Sequence, residues 1–303
     1  MTATPAADRQ LPGELLPGDA GDAEHAASPP GDGRAPALTD ELAIRQRPRI
    51  DQMAATLAAQ LAQRGEADLM DDFAEPLAYT AVCDVIGVSP HDRRRLHDWT
   101  QEWRLFRRNG DGEHRCAARR AVYDYVSGLL ADRVENPRDD LCTQFATAFR
   151  DGRLPAHEAI ATAAGILLNG YPYPASFISG MLLGLLLDHG HRELLGRQPD
   201  LIPAAVEEFL RVLSPEREGP AQALVSRADP GRPGNGHDAF ASSGGHCPGA
   251  TLARLEARAA VTAMLPHLSQ LTVAVPVADL SWSRARFGHP TALERCPVTW
   301  RQR

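Results

Sequence analysis

A mainly α-helical fold with one small β element near the C-terminal end is what the sequence predicts. Three observations carry this. Apolar residues recur at helical spacing in successive stretches from about residue 40 to residue 266. Only two short runs, 271–275 and Pro297–Trp300, have strand character. No segment repeats with a period of 20–50 residues, which removes solenoids and propellers.

The first predicted helix starts near Leu38. Ile50, Met53, Leu57 and Leu61 form one stripe, and Gly65 suits its stop. Pro76 opens the next helix and Gly87 closes it. Ser89 and Pro90 read as the N-cap and first residue of a helix towards Phe106. A loop is expected at 109–112, then a helix marked by Val122, Tyr125, Val126, Leu129, Leu130 and Val134 that ends before Pro137. A short helix fits 139–149. Residues 155–189 read as one long apolar helix interrupted at Tyr171-Pro-Tyr-Pro174, where two prolines force a break or kink. Helices fit 191–197 and 201–213. A Gly- and Pro-rich stretch fills 217–245, and a last helix fits 249–266. Trp99 and Trp103, one turn apart, read as packing residues.

Composition excludes several function classes. Lys and Arg number 32, Asp and Glu 39, for a net charge of −7. That balance argues against general nucleic-acid binding and against docking on an anionic membrane. The longest nearly apolar run, 176–187, has twelve residues, two of them Gly, where a membrane span needs about 20. The N-terminus lacks the pattern of a secretion signal. Five cysteines without a Cys-x-x-Cys pair suggest neither a disulfide framework nor a zinc site, so a cytoplasmic protein with reduced thiols is expected. Residues 1–38 hold six Pro, five Gly, six acids and two bases, and read as a disordered acidic leader. Residues 39–303 are expected to form a single domain.

Two segments carry chemistry. In Phe240-Ala-Ser-Ser-Gly-Gly-His-Cys247-Pro-Gly249-Ala-Thr-Leu252-Ala253-Arg254, a Gly-rich loop delivers one cysteine to the start of a helix. The helix dipole there is expected to favour thiolate, which can serve as an axial ligand to haem iron. Upstream, Glu208 and Arg211 stand at i and i+3 on one helix face, a salt-bridge spacing.

Together these segments resemble the cytochrome P-450 family of haem-thiolate monooxygenases, in its bacterial branch. The spacing of Phe240, Cys247, Gly249, Leu252, Ala253 and Arg254 matches the family's cysteine loop, and Glu208 with Arg211 matches its Glu-x-x-Arg helix. Residues 65–77 and 85–88 look like the family's middle helices, and 154–189 like its long central helix. The resemblance implies haem held by Cys247 through iron, with Phe240, His246 and Gly249 around it and Arg227 or Arg217 towards a propionate.

The departures are as informative as the match. The oxygen-activating run aligns with Asn169, Gly170, Tyr171, Pro172 and Tyr173, so Pro172 stands at the acid position and Tyr173 at the Thr position. Neither residue replaces an acid–alcohol proton relay. Ala241 and Ser243 occupy glycine positions of the cysteine loop. Gly245 occupies the place of its basic residue, with His246 one place late. Arg211 and Cys247 are only 36 residues apart, which leaves no room for the family's meander and removes the expected third partner of Glu208 and Arg211. The family's N-terminal sheet region is also expected to be missing. Haem is therefore expected to be weakly held or absent. The leading expectation is a catalytically degenerate auxiliary protein of secondary metabolism. It would activate or stabilise a partner enzyme such as a glycosyltransferase. The alternative is a haem-thiolate monooxygenase or peroxygenase with Cys247 as axial ligand.

Overall fold

The computed structural model describes residue 36 and residues 38–109, 112–213, 228–229, 236–237, 239–242, 245–283 and 292–300. All but two residues of the acidic leader, Arg217, Arg227 and the His246 side chain lie outside the described set. Ten α-helices account for most of the described residues: α1 Asp40–Leu61, α2 Glu75–Ile86, α3 Arg93–Asn109, α4 Gly112–Glu135, α5 Leu141–Arg150, α6 Ala156–Asn169, α7 Pro172–Leu187, α8 His189–Arg197, α9 Ile202–Val212 and α10 Ala250–Leu268. The strands are short: β1 Glu66–Asp68, β2 Ala241–Ser242, β3 Gly245–His246, β4 Leu271–Val273, β5 Trp282–Ser283, β6 Ala292–Leu293 and β7 Pro297–Trp300.

Two local expectations need correction. Residues 65–77 do not enter a helix directly. They form β1, then a single π-helical turn at Met70–Ala74, then α2. The reason is Asp68, whose Oδ1 accepts the N–H of Met70 at 2.9 Å and of Cys296 at 3.0 Å, tying this segment to the C-terminal strand. Nor does Ser89 start α3. Its carbonyl accepts the N–H of Asp92 at 3.0 Å, which closes a turn, and the helix begins at Arg93.

The chain divides into two compact units. Of the described residues, one unit holds Val82–Gly170 with those up to Leu42; the other holds Ala43–Ala81 and those from Tyr171 onward. In the first, α3 packs along α4, and α4 against α5 and α6. Leu96, Val122, Val126, Leu130, Phe145 and Leu167 are fully buried there. A buried polar knot sits beside them. Arg133 Nε donates to Asp140 Oδ2 at 2.6 Å and its Nη2 to the Gly87 carbonyl at 3.0 Å. Asp140 also caps α5 through the N–H of Thr143 at 2.8 Å. Gly87 has φ +93°, and a Cβ there would fall 2.1 Å from Asp140 Oδ2, so both backbone angle and space demand glycine.

The second unit is built around α7. Almost every residue from Ala175 to Leu185 is buried, on all sides of the helix, which is why this stretch is apolar all round rather than striped. It packs against α8, α9, α10, β4, β6 and the π-helical turn. β7 is the central strand of an antiparallel sheet in the order β1-β7-β4, which pairs both predicted strand runs with each other. β5 pairs with β6, and Ser176 Oγ on α7 accepts the N–H of Leu293 at 3.1 Å. No helix among the described residues is long and apolar enough to cross a membrane.

Candidate functional site

The cysteine loop lies in the second unit. β2 and β3 pair antiparallel, Ala241 opposite His246 and Ser242 opposite Gly245, and lead directly into Cys247. The Cys247 N–H donates to the Phe240 carbonyl at 2.9 Å, and the Ala250 N–H donates to the Cys247 carbonyl at 3.2 Å. α10 starts at Ala250 with Gly249 at its N-cap. A Cβ on Gly249 would meet Cys247 Sγ at 3.7 Å, so the sulfur lies directly over the glycine. The expected thiolate preference is reversed in the unliganded protein. Burial pushes the Cys247 thiol up, and the hydrogen bond from the Gly249 backbone only partly offsets it.

On the sulfur side these residues fit a haem iron: one half-buried thiol, a glycine under it, and a backbone that fixes the loop. The candidate propionate partners, Arg217 and Arg227, lie outside the described residues, as does the side chain of His246. Among the described residues no group of three or more His, Cys, Asp or Glu is placed to hold a metal ion.

The expected break in the central helix is a helix boundary. α6 ends at Asn169, the Gly170 N–H bonds the Ile166 carbonyl at 2.8 Å, and α7 starts at Pro172. Pro172 is the first residue of α7 and Pro174 the third, positions whose N–H groups have no intrahelical acceptor. The prolines thus begin a helix instead of bending one. Tyr171 is fully buried and meets Tyr79 edge to face at 5.1 Å. The Tyr173 hydroxyl is inaccessible to solvent. Burial and the nearby Cys247 thiol both push its pKa up, which holds it as neutral phenol. Asn169 is exposed, and its amide donates to the Gly165 carbonyl of its own helix at 3.0 Å. At Gly170 a Cβ would fall 2.5 Å from the Ile166 carbonyl, so this position accepts no side chain without a shift.

The Glu-x-x-Arg pair forms a bidentate bridge on α9. Arg211 Nε donates to Glu208 Oε2 at 2.7 Å and Nη2 to Oε1 at 2.6 Å. Glu208 is fully buried and receives a third donor, the backbone N–H of Asp229 at 3.1 Å. A main-chain group thus reaches the acid for which no third partner was expected.

A second cluster was not singled out from the sequence. Glu207, next to Glu208 but turned 100° around α9, accepts two bonds from Arg254 on α10, at 2.7 and 2.9 Å. His237 Nε2 bonds the same carboxylate at 3.0 Å, and its Nδ1 accepts the Ala239 N–H at 3.2 Å. Because Nδ1 accepts, Nε2 carries the proton. The Phe240 ring lies 4.6 Å from the Arg254 guanidinium and 6.0 Å from the His237 ring. Burial pushes the Glu207 carboxyl up, but the hydrogen bonds from Arg254 and His237 and the charge of Arg254 outweigh it and bring it below the ordinary value.

Glu256, further along α10, is completely buried, with neither oxygen hydrogen-bonded within the described structure. Burial raises its pKa well above 4.5. The folded state therefore binds this proton more tightly than the unfolded chain. Its contribution is favourable below about pH 4.5 and is lost as pH rises towards the folded pKa. Glu256→Gln is expected to flatten this fall. Denaturant midpoints at pH 5 and pH 8 check it: the drop between them should be smaller in the variant than in the wild type.

No family model matches the chain. Individual proteins do. Cytochrome P450 107B1 of Saccharopolyspora erythraea is 32% identical over 287 residues, 83% of this chain and 69% of that protein. The 6-deoxyerythronolide B hydroxylase of the same organism is 29% identical over 287 residues, 82% of this chain and 70% of that protein. Among solved structures, the bacillaene polyketide synthase cytochrome P450 PksS of Bacillus subtilis 168 superposes with a TM-score of 0.77 at 26% identity, covering 88% of this chain and 76% of that one.

Proposed function

Since the chain belongs to the cytochrome P-450 family, we propose that it works within that family as an auxiliary protein of secondary metabolism, which activates or stabilises a partner enzyme such as a glycosyltransferase, and not as an oxygen-activating monooxygenase. One observation carries the reading: α7 opens with Pro172 and Tyr173, the positions that the resemblance aligns with the family's acid and Thr. Proline has no proton to give, and a buried phenol stands in place of the alcohol. One structural neighbour, the bacillaene polyketide synthase cytochrome P450 PksS, is named for polyketide chemistry and supports the link to secondary metabolism.

The geometry around Cys247 favours a second reading, a haem-thiolate peroxygenase, in which the oxidant brings its own protons. Haem, when bound, supplies a redox-active iron. Cys247 would hold it, Gly249 would start the following helix beside the sulfur, and Phe240 would anchor the loop backbone. The absorption spectrum of the reduced protein under carbon monoxide separates the two. Protein purified from haem-replete cells is expected to carry well under one haem per chain. Any thiolate-type band is expected to vanish in Cys247→Ala. Full haem occupancy together with peroxide-driven oxidation would overturn the auxiliary reading in favour of the second.

A further inference from the structure

The Glu207, His237, Arg254 and Phe240 cluster touches the cysteine loop at the point from which Cys247 hangs. We propose that His237 is a positioning residue for the Cys247 thiol, acting through Glu207 and Phe240. The proposal deepens the reading of Cys247 as a haem ligand and rests on it for its meaning, though not for its first test.

The chain of contacts is short. Glu207 on α9 anchors both Arg254 and His237. The two cationic or aromatic groups flank the Phe240 ring, at 4.6 Å for the guanidinium and 6.0 Å for the imidazole. The Phe240 carbonyl accepts the Cys247 N–H. His237 makes both of its ring bonds within this group: one nitrogen donates to the carboxylate and the other receives the Ala239 N–H, adjacent to Phe240. Its side chain is only 5% exposed, so neither bond is readily exchanged for water. The bonds join segments 30 and 47 residues apart in sequence, so they fix the loop to both helices at once. Losing His237 releases the Ala239–Phe240 backbone and with it the cysteine, while the Arg254 bridge to Glu207 remains.

Site-resolved alkylation of the haem-free full chain with iodoacetamide tests this. Exposed Cys116 serves as the fast control, and buried Cys83, Cys142 and Cys296 report global opening. His237→Ala is expected to speed labelling of Cys247 by about tenfold, as loss of a buried bond to a charged group would loosen a local segment, with the buried thiols unchanged. His237→Gln, which keeps a donor for Glu207, should return the rate most of the way. Glu207→Gln, which removes the shared anchor charge, should act in the same direction as His237→Ala if that variant does not accumulate. An unchanged Cys247 rate, or a rate that rises together with those of Cys142 and Cys296, overturns the proposal. In haem-loaded protein, His237→Ala should also lower the thiolate share of the carbon monoxide spectrum. A wild-type protein with no such band refutes the ligand reading, and the labelling result then decides the positioning role by itself.

Discussion

Arg133→Met is expected to lose about 3–5 kcal/mol of folding stability, the cost of leaving one partner of a buried ion pair unmatched. Arg133 and Asp140 side chains are 2% and 5% exposed. The methionine would strand Asp140 Oδ2 and remove the donor to the Gly87 carbonyl. Asp140 still caps α5 through Oδ1, so the loss falls on the Asp140 ion pair, the more exposed bridge to Asp132 and the Gly87 bond, not on the helix start. Urea unfolding of the wild type, Arg133→Met, Asp140→Asn and the double variant checks it. The double variant should lose less than the two single losses summed, because each single change already breaks the pair. A loss under about 1 kcal/mol for Arg133→Met would mean that the knot is solvated in solution.

The second large effect concerns oxygen chemistry. With ferredoxin, its reductase and reduced nicotinamide cofactor, coupled product formation is expected to fall at least about 100-fold below that of a relative with an acid and Thr at these positions. The factor is the usual worth of positioned proton transfer. Pro172 and Tyr173 supply neither the exchangeable acid nor the alcohol. Reducing equivalents that reach the protein should appear as peroxide. The ratio of product to cofactor consumed is the measurement, and hydroxylation at ordinary family coupling would contradict the expectation.

How much of this was legible in the sequence follows from what each feature depends on. The helices that bury one stripe were readable, because the spacing of Ile50, Met53, Leu57 and Leu61 belongs to the local chain. The break at 171–174 was readable because proline acts locally, though not that it would separate α6 from α7 cleanly. β1 was not readable. Glu-Ala-Asp has no strand preference, and it becomes a strand only because β7 offers backbone partners some 230 residues later. The turn at Ser89 was missed because an N-cap residue and a turn residue share the same chemistry.

The site divides in the same way. Cys247 and the Glu208–Arg211 pair were found within single segments, and Phe240, Gly249 and Arg254 from the resemblance to the family's cysteine loop. Glu207 and His237 were not, since their bond spans 30 residues and a Gly-rich stretch conceals it. A signal did exist for Glu256. It falls four residues after Leu252 and four before Ala260, on the apolar face of α10, where a solvated acid has no place. The reversed tendency of the Cys247 thiol was not readable either, because burial of the loop outweighs the helix-start effect that sequence suggests.

The account stands or falls on whether the chain serves another enzyme. The direct measurement is the rate of a candidate glycosyltransferase, assayed with and without the purified protein, and with Cys247→Ala in its place. Binding to the folded partner stabilises it by mass action, so the rate should rise with added protein and saturate. Cys247→Ala should act as well as the wild type, because the proposed auxiliary role does not pass through iron. A transferase rate that ignores the protein, alongside product formation driven by its own haem, would contradict the account.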